Sequence, residues 1–466
     1  MSKNIEKNNA NFIDHGLLKL ALTLVLILML GVLFLLTWLD NYNVLLRFQY
    51  LLKGNIFLMI MYMVLIYIFM ILFDCNSISE KQTGKLLFSE MLAVISCNIL
   101  VYLVIITPAV ALGFMPIMPL CVLTIIDFLV VAVWCISLHL LFNALFPPKD
   151  MLLISNENSI DALVYKFSKR NDLYNIKEKM VFDSAIDDIY EKTYRKCDEY
   201  SNVLVGDLTS ECRNDIIKYC FNNEKTVYVI PKISDILLKY SDDIFAFDTP
   251  IFLSSNFALT PETKIIKRIF DLCISLIFII VFSPIYLLIA ICIKVEDGGP
   301  IFFTQKRITQ NDEEFNIIKF RSMKVDNTNE VRPTQDNDSR VTKVGKVIRA
   351  LHLDEIPQFF NVLKGEMSVV GPRPERIEHV ELYTKEISEF KYRSKVKAGI
   401  TGLAQIYGKY NTSAIDKLKL DLIYIKKCSI YFDIELIFRT FNVFLKKEST
   451  EGFDINSYNH IKENEK

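Results

Sequence analysis

Adjacent carboxylates are the feature of this sequence best suited to chemistry. Asp354 and Glu355 come shortly after Arg349, and a Gly-Pro-Arg-Pro turn follows at residues 371–374. Carboxylates beside guanidinium groups suit a site that handles a metal ion and phosphate oxygens. An isolated Asp-Glu pair more often marks a solvated helix start, so the hypothesis of a site depends on the basic residues around the pair.

Two ionised carboxylates can divide the work of phosphoryl transfer. One can hold Mg²⁺ together with water and substrate phosphates, and the other can attack phosphorus as a nucleophile. Cationic side chains would neutralise the charge on the phosphate oxygens. The candidates for this role are Lys319, Arg321, Arg340, Arg349, Arg373 and Lys397. These residue types alone leave the reaction undefined.

Pro357 predicts the local geometry of the pair. Proline is tolerated in the first turn of a helix, so the helix should begin near Asp354, which would act as the N-cap or lie beside it. Both carboxylates would then be kept ionised by the helix dipole. Helical spacing predicts a buried face formed by Leu353, Ile356, Phe360 and Leu363, and a polar face formed by Asp354, Gln358 and Asn361.

The composition is that of a membrane protein. Of the 466 residues 52% are hydrophobic, and the net charge of −1 gives no global attraction to nucleic acid. The ten cysteines contain no C-x-x-C pair and the five histidines show no metal-ligand spacing, so we expect neither a zinc site nor a disulfide framework. Reduced thiols in the membrane and cytoplasm are the favoured interpretation.

Residues 1–148 contain four apolar runs of membrane-spanning length, at residues 20–39, 56–73, 91–112 and 120–146. Lysines before the first run and in the 74–90 linker place the N-terminus, this linker and the chain after Pro148 in the cytoplasm, by the positive-inside rule. Asp127 and His139 lie inside the fourth run. A substrate role for them is one hypothesis, and Asp127 facing a neighbouring helix or water is the favoured one.

The segment 149–250 alternates short apolar runs with charged helical stretches, which predicts a small parallel α/β domain. No glycine follows its first strand at residues 156–159, so we expect a degenerate Rossmann-like domain with a regulatory or packing role instead of dinucleotide binding. Residues 251–263 are interpreted as a linker, residues 264–447 as the catalytic domain and residues 448–466 as a polar tail.

A fifth apolar run, at residues 274–293, has Ser283-Pro284 at its centre. Proline removes a backbone hydrogen bond, and a nearby serine can satisfy the freed carbonyl. Basic residues flank the run on both sides, which favours a re-entrant helix that enters one leaflet and returns. An ordinary span with a proline kink is the alternative. The later run 434–445 fits an interfacial helix or a core helix equally well.

Several segments together resemble one family, the bacterial polyprenyl-phosphate glycosyl-1-phosphate transferases, in the extended class with four N-terminal transmembrane helices. The segments are KRIFD (267–271), Ser283-Pro284, GPIFFTQKR (299–307), KFRSM (319–323), LDEIPQFFNVLKGEMSVVGPRPE (353–375) and GITGLAQ (399–405). They follow the order of the family and extend over nearly all of the C-terminal portion. The resemblance implies a mixed α/β catalytic domain with a re-entrant membrane helix broken at Ser283-Pro284.

The resemblance also implies a reaction. A sugar 1-phosphate would move from a nucleoside diphosphate sugar to undecaprenyl phosphate in the cytoplasmic membrane, with a nucleoside monophosphate released. Asp354 would be the nucleophile, Glu355 the Mg²⁺ ligand, and Arg349 and Arg373 would lie near the phosphates; Gln405 belongs to a matching motif. Such a transfer would initiate assembly of a capsule, an exopolysaccharide or an O-antigen. The sequence leaves the sugar, the nucleotide and homo-oligomerisation open.

Some positions depart from the family pattern. Ala350 and His352 stand where the family often has a basic residue and a serine, and Lys397-Ala398 replaces the usual Arg-Pro. Lysine cannot bind phosphate in the bidentate manner of arginine, so Lys397 is a weaker candidate than Arg373. Two alternative hypotheses are a non-catalytic membrane scaffold in polysaccharide assembly and a glycosyltransferase that moves the sugar without its phosphate.

Overall fold

The computed structural model describes residues 2–46, 48–77, 81, 83–103, 116–183, 188–254, 259–324, 340–408 and 412–441, with the backbone alone for residues 2–15. The chain divides into two compact units, Met1–Pro231 and Lys232–Lys466. Within the described residues, five helices are long and apolar enough to cross a membrane, four of them in the first unit.

The first unit begins with apolar helices, which are α1 (Ser2–Thr37), α2 (Leu52–Leu72), α3 (Thr83–Val101) and α4 (Met118–Leu145). A π-helical turn, Trp38–Tyr42, extends α1. Helix α3 begins before the predicted run at residue 91, and residues 104–112 of that run lie outside the described residues. Apolar helices in the N-terminal region are therefore present as the sequence predicted.

Polar side chains join these helices in their interior. The Tyr62 hydroxyl donates to Asn98 Oδ1 at 3.0 Å, and Asn98 Nδ2 donates to Asp127 Oδ2 at 3.3 Å. Asp127 is fully buried, whereas His139 is exposed and lies 3.0 Å from the Asn143 amide. These contacts between α2, α3 and α4 support the interpretation of Asp127 as a packing residue that faces a neighbouring helix.

An α/β domain with a parallel sheet completes the first unit. Its strands are β1 (Lys149–Ser155), β2 (Tyr174–Val181), β3 (Asn202–Val205) and β4 (Thr226–Val229), and its helices are α5 (Glu157–Ser168), α6 (Ile189–Glu199) and α7 (Ser210–Asn222). All strand pairs are parallel, in the order β2-β1-β3-β4. The central strand β1 is apolar on both faces because each face packs against helices, and its last five residues are buried.

The crevice at the carboxyl ends of β1 and β3 is occupied by the protein itself. The Ser155 hydroxyl accepts a hydrogen bond from Asp207 N at 3.1 Å, and a Cβ added at Gly206 would lie 2.4 Å from Ser155 Oγ. Parallel sheets of this kind bind nucleotides at such a switch point. The close approach supports the interpretation that the domain is degenerate.

The second unit opens with α8 (Ile233–Lys239) and an antiparallel hairpin of β5 (Asp242–Ala246) and β6 (Thr249–Leu253). The sequence placed residues 232–250 in the α/β domain, but Ile236 is buried in the core of the second unit. The last three residues of strand β6, residues 251–253, likewise fall in the segment interpreted as a linker. The boundary between the two units follows Pro231, because Ile236 packs in the core of the second unit. The hydropathy pattern around Ile236 does not show which core it joins.

A single long helix follows, α9 (Pro261–Asp297), with Pro284 in its interior. Pro284 has no N–H to donate to the carbonyl of Ile280, and the Ser283 hydroxyl donates to that carbonyl at 2.7 Å instead. The predicted compensation by serine is confirmed. Helix α9 is continuous through this position, without the break that the resemblance implied.

The rest of the second unit is mixed α/β. Its strands are β7 (Phe302–Ile308), β8 (Glu314–Phe320), β9 (Ser368–Val370) and β10 (Gly399–Thr401), and its helices are α10 (Lys343–Ala350), α11 (Gln358–Lys364), α12 (Ile377–Glu386), α13 (Leu403–Tyr407), α14 (Ala414–Lys427) and α15 (Ile430–Phe441). Strands β7 and β8 pair antiparallel, and β9 and β10 pair parallel. Leu436 on α15 is buried in the shared core, which favours the core-helix interpretation of this helix.

Helix α9 lies along this mixed domain for most of its length. Near its start Lys267 Nζ is 2.5 Å from Asp433 Oδ2, and the Asp271 carboxylate accepts from the Ser368 hydroxyl and from Val369 N. Towards its end Ile289 and Ile293 pack with Phe320 and Ile348. Both ends of α9 therefore contact the same domain.

Candidate active site

The carboxylate pair lies in one turn of 3₁₀-helix, Leu353–Glu355, between α10 and α11. His352 opens the turn with a φ of 53° in the left-handed region, which reverses the chain after α10. Pro357 is the N-cap of α11, so Asp354 is not the cap that the sequence predicted. The helical turn nevertheless begins near Asp354 because a 3₁₀ turn precedes the α-helix.

The predicted faces of this helix are wrong in part. Leu353, Ile356, Phe360 and Leu363 are only half-buried, whereas Gln358, Phe359, Asn361 and Val362 are buried. Asn361 accounts for the difference. Its Nδ2 donates to Asn316 O at 2.8 Å and its Oδ1 accepts from Ile318 N at 3.0 Å, which ties α11 to the backbone of β8. A polar residue can be buried when both ends of its amide are paired in this way.

Two cations hold one oxygen of Glu355. Lys319 Nζ lies 2.6 Å from Glu355 Oε1, and Arg373 Nη2 lies 3.1 Å from the same atom. Lys319 comes from the end of β8 and Arg373 from the Gly-Pro-Arg-Pro turn, so three separate segments converge here. The structure thus brings Lys319, Arg373 and Glu355 together.

The two carboxyl groups have opposite electrostatic environments. Burial raises the pKa of Glu355, but Lys319 and Arg373 outweigh it and hold that pKa well below the usual range. Burial and then the Glu355 charge raise the pKa of Asp354 above its usual range, although Lys319 and Arg349 oppose this. The prediction that both groups are favoured as ions is therefore wrong for Asp354, because burial and the charge of Glu355 disfavour its charged form.

Among the residues that the structure describes, none donates a hydrogen bond to the Asp354 carboxylate. Its neighbour Glu355 is fixed by two cations, while the Asp354 carboxylate is left unengaged beside them. Arg349 lies close enough to Asp354 to lower its pKa, and Arg349 Nη2 contacts Met323 Sδ at 3.8 Å. An unengaged carboxylate with cations nearby is suited to attack on phosphorus.

Other predicted site residues lie elsewhere or make other contacts. Arg321 pairs with Asp297 at the end of α9. Gln405 Nε2 donates to Ile400 O at 2.9 Å. Lys397 comes within about 4 Å of the position that a Gly365 Cβ would occupy. Arg340 O accepts from Lys324 N at 2.8 Å, next to residues 325–339, which are outside the described residues. Among the described contacts, none joins Arg321, Lys397 or Gln405 to the carboxylate pair.

Sequence reasoning missed the residues that fix the Gly-Pro-Arg-Pro turn. Arg307 Nη1 donates to Pro374 O at 3.3 Å, and Arg393 Nη2 donates to Arg373 O at 2.9 Å. Arg393 is itself buried and paired with Asp421 at 2.9 Å. The sequence marked Arg307 only as a basic residue after the fifth apolar run and as the last residue of the GPIFFTQKR segment (299–307). No sequence pattern marks a backbone carbonyl as the partner of an arginine.

Arg268 is a second missed contact. Its Nη1 donates to Val362 O at 2.6 Å and its Nη2 to Leu363 O at 2.9 Å, at the carboxyl end of α11. A cation at this end satisfies carbonyls that have no partner within the helix. Arg268 therefore fixes the helix that follows the carboxylate pair. Its place in the family segment KRIFD (267–271) was the feature of the sequence that could have indicated a role for it.

The donor set fits a magnesium ion only in part. In the described part of the chain, no group of three or more His, Cys, Asp or Glu side chains could hold a metal. Mg²⁺ commonly binds through one or two carboxylates plus water and substrate phosphates. Asp354 and Glu355 supply that minimum, and the described residues leave Glu355 Oε2 unengaged while Lys319 and Arg373 occupy Oε1.

Comparison with known proteins connects this geometry to a family. Residues 262–447 match the bacterial sugar transferase family. The exopolysaccharide production protein ExoY of Rhizobium meliloti is 38% identical over 199 residues, which are 39% of this chain and 87% of that protein. The chain belongs to the bacterial sugar transferase family. It is therefore a membrane protein of this family, with apolar helices preceding the family segment.

Two further relatives are longer proteins. A UDP-N-acetylgalactosamine-undecaprenyl-phosphate N-acetylgalactosaminephosphotransferase of Aeromonas hydrophila is 43% identical over 190 residues, 40% of this chain and 45% of that protein. A UDP-glucose:undecaprenyl-phosphate glucose-1-phosphate transferase of Klebsiella pneumoniae is 40% identical over 228 residues, 45% of this chain and 49% of that protein. The chain thus matches about half the length of these relatives.

Proposed function

We propose that this sugar transferase moves a sugar 1-phosphate from a nucleoside diphosphate sugar, a UDP-hexose, to undecaprenyl phosphate and releases UMP. The observation that carries the proposal is the unengaged Asp354 beside Glu355, which Lys319 and Arg373 hold. The names of the Aeromonas and Klebsiella relatives give the same chemistry for those proteins. The reaction would initiate synthesis of a capsule, an exopolysaccharide or an O-antigen.

Asp354 is the nucleophile in this proposal. Its carboxylate oxygen forms a bond to the phosphorus that bears the sugar, and the phosphoanhydride bond breaks, so UMP leaves with the bridging oxygen and its electron pair. An oxygen of the acceptor phosphate then attacks the same phosphorus and displaces the Asp354 carboxylate. One phosphoanhydride replaces another, so the chemistry requires no further energy source. The course is ping-pong through a covalent phosphosugar-aspartate.

The surrounding cations stabilise the charge that develops. Arg373, which is about half exposed at the side chain, can reach a phosphate while it still touches Glu355. Arg349, in the last turn of α10, lowers the pKa of Asp354 and so favours the reactive anion. Glu355 would hold Mg²⁺ through Oε2, and that ion would neutralise phosphate charge when bound.

The membrane topology is part of the proposal. A straight helix as long as α9 measures about 55 Å at 1.5 Å per residue, against about 30 Å for a hydrocarbon core. Its start contacts Asp433 and its end packs on Phe320 and Ile348 of the same domain. Contacts of both ends with one domain favour a helix that enters one leaflet and returns. Four transmembrane helices, the cytoplasmic membrane and a cytoplasm-facing catalytic domain complete the topology.

The test is nucleotide release by the full chain in membranes or nanodiscs with Mg²⁺ and undecaprenyl phosphate, using a panel of UDP-sugars. We expect UMP from at least one donor and none from the Asp354→Asn variant, with Asp242→Asn on the exposed strand β5 as the control. Release of UDP would support sugar transfer without phosphate. Normal turnover by Asp354→Asn would refute the nucleophile, and no product with any donor would favour the scaffold hypothesis.

A further inference from the structure

Tyr286 joins the apolar helix α9 directly to the turn that carries the carboxylate pair. The residue lies just beyond Pro284, and its hydroxyl donates to Ile356 O at 2.7 Å. Its ring packs against Phe320 and Phe360, with ring centroids 5.5 and 5.7 Å away. The side chain is thus held on the domain by packing, and only the hydroxyl makes the polar contact.

The turn needs such a restraint because its own backbone bonds are long. Glu355 N is 3.4 Å from His352 O, and Ile356 N is 3.3 Å from Leu353 O. Both distances exceed the usual range for N–H···O bonds, whereas the Tyr286 bond is well within the range for hydroxyl donors. The left-handed His352 at the entry interrupts the helical backbone between α10 and the turn, so the turn does not continue the hydrogen-bond ladder of that helix.

The contacts of Tyr286 reach the turn that carries the carboxylate pair and the strand that supplies Lys319. Ile356 directly follows Glu355 in the chain, and Phe320 directly follows Lys319, the residue that binds Glu355 Oε1. A shift of the Tyr286 hydroxyl would therefore move the turn relative to the strand that supplies its cation. Tyr286 lies two residues after Pro284, so the course of α9 at the Ser283-Pro284 pair determines the position of the Tyr286 hydroxyl.

We propose that Tyr286 is a positioning residue for the transfer reaction, acting through the Ile356 carbonyl to hold Asp354 in line with the phosphate. This inference rests on the proposed function. The hydroxyl touches neither substrate nor reacting atoms, so its removal leaves substrate binding intact and displaces the nucleophile. A displacement of about 1 Å at a reacting group can cost about 100-fold in rate. We expect a fall of roughly 10- to 100-fold in kcat.

The matched pair of variants is Tyr286→Phe and Tyr431→Phe. The first keeps the ring that packs on Phe320 and Phe360 and removes the hydroxyl alone. The second removes the hydroxyl of a tyrosine that is 60% exposed on α15. The measurements are steady-state UMP release, the rate of the first turnover without acceptor, and the thermal unfolding temperature in nanodiscs.

The inference expects Tyr286→Phe to lower kcat and the first-turnover rate at least 10-fold, with donor KM within 2-fold of the wild type and the unfolding temperature unchanged. Tyr431→Phe should match the wild type throughout. An unchanged kcat in Tyr286→Phe would overturn the inference, as would a loss confined to KM or one that tracks a lower unfolding temperature. Inactivity of the wild type with every donor would instead count against the proposed function itself.

Discussion

The buried ion pair between Lys267 and Asp433 gives a prediction about how α9 is attached. Lys267 Nζ lies 2.5 Å from Asp433 Oδ2 and 3.1 Å from Val370 O, and the Tyr424 hydroxyl donates to Asp433 Oδ1 at 2.9 Å. The Asp433 side chain is fully buried and that of Lys267 is 10% exposed. The Lys267→Met variant keeps most of the side-chain length and leaves the Asp433 carboxyl without its cation.

The expected loss of stability follows from this burial. Removing one partner of a buried pair costs about 3–5 kcal/mol. Asp433 can escape the penalty by taking up a proton, because burial already raises its pKa and the opposing charge of Lys267 is gone. A carboxyl whose folded-state pKa exceeds its unfolded value loses stability as the pH rises between the two values. Each pH unit in that window is worth about 1.4 kcal/mol.

The deficit of Lys267→Met should therefore shrink by up to about 2.7 kcal/mol between pH 8 and pH 6. For a unit of this size, 3–5 kcal/mol corresponds to a fall of roughly 6–20 °C in unfolding temperature. Thermal unfolding of the wild type and of Lys267→Met in nanodiscs at pH 6 and pH 8 measures this fall in unfolding temperature. The control is Lys264→Met, which removes an exposed lysine one turn earlier.

The double variant Lys267→Met/Asp433→Asn sharpens the test. It has no carboxyl to titrate at this position, so its deficit relative to the wild type should vary less with pH and be smaller than that of Lys267→Met at pH 8. A fall of less than about 2 °C for Lys267→Met at pH 8 would refute the buried pair as an anchor of α9. A deficit that is equal at pH 6 and pH 8 would refute the proton uptake by Asp433.

Two further predictions concern the site and the topology. Arg373→Lys should lower kcat/KM for the donor at least 10-fold, because lysine loses bidentate phosphate binding, and should leave the unfolding temperature unchanged, because it keeps the charge beside Glu355. The control is Arg170→Lys, which lies in an exposed ion pair. Equal activity of Arg373→Lys and the wild type would contradict the phosphate role. Val295→Cys, just after Lys294 and 81% exposed, should resist a membrane-impermeant thiol reagent in intact cells and react after lysis. Labelling in intact cells would show that this end of α9 lies outside.

Local chemistry made parts of the site predictable. Pro284 lacks the backbone N–H that would donate to the carbonyl four residues earlier, and the Ser283 hydroxyl donates to that carbonyl, of Ile280. The apolar runs are long enough to give membrane-length helices whatever their neighbours are. Asp354 and Glu355 were identified as a pair because adjacency in sequence is adjacency in space. Each of these predictions uses only residues that follow one another within a single segment of the chain.

Predictions that depended on long-range contacts did less well. Asn361 was expected on the polar face of α11 and is buried, because its amide pairs with the backbone of β8, which is distant in sequence. Asp354 was expected to be favoured as an ion, yet burial and the Glu355 charge raise its pKa. The pairing of Arg321 with Asp297 was not predicted. Hydropathy spacing does not report which polar group meets which backbone atom.

The sequence by itself determined that an adjacent pair of carboxylates and several basic residues follow a long apolar run in the same part of the chain. Composition and the order of neighbouring residues are properties of the chain alone. Only the tertiary structure decided that Lys319 and Arg373 hold Glu355, that no described residue donates a hydrogen bond to the Asp354 carboxylate, and that Tyr286 bonds α9 to the turn. The physical reason is that pairing energies depend on distance and burial in space. Residues brought together by folding acquire roles that their position along the chain does not reveal.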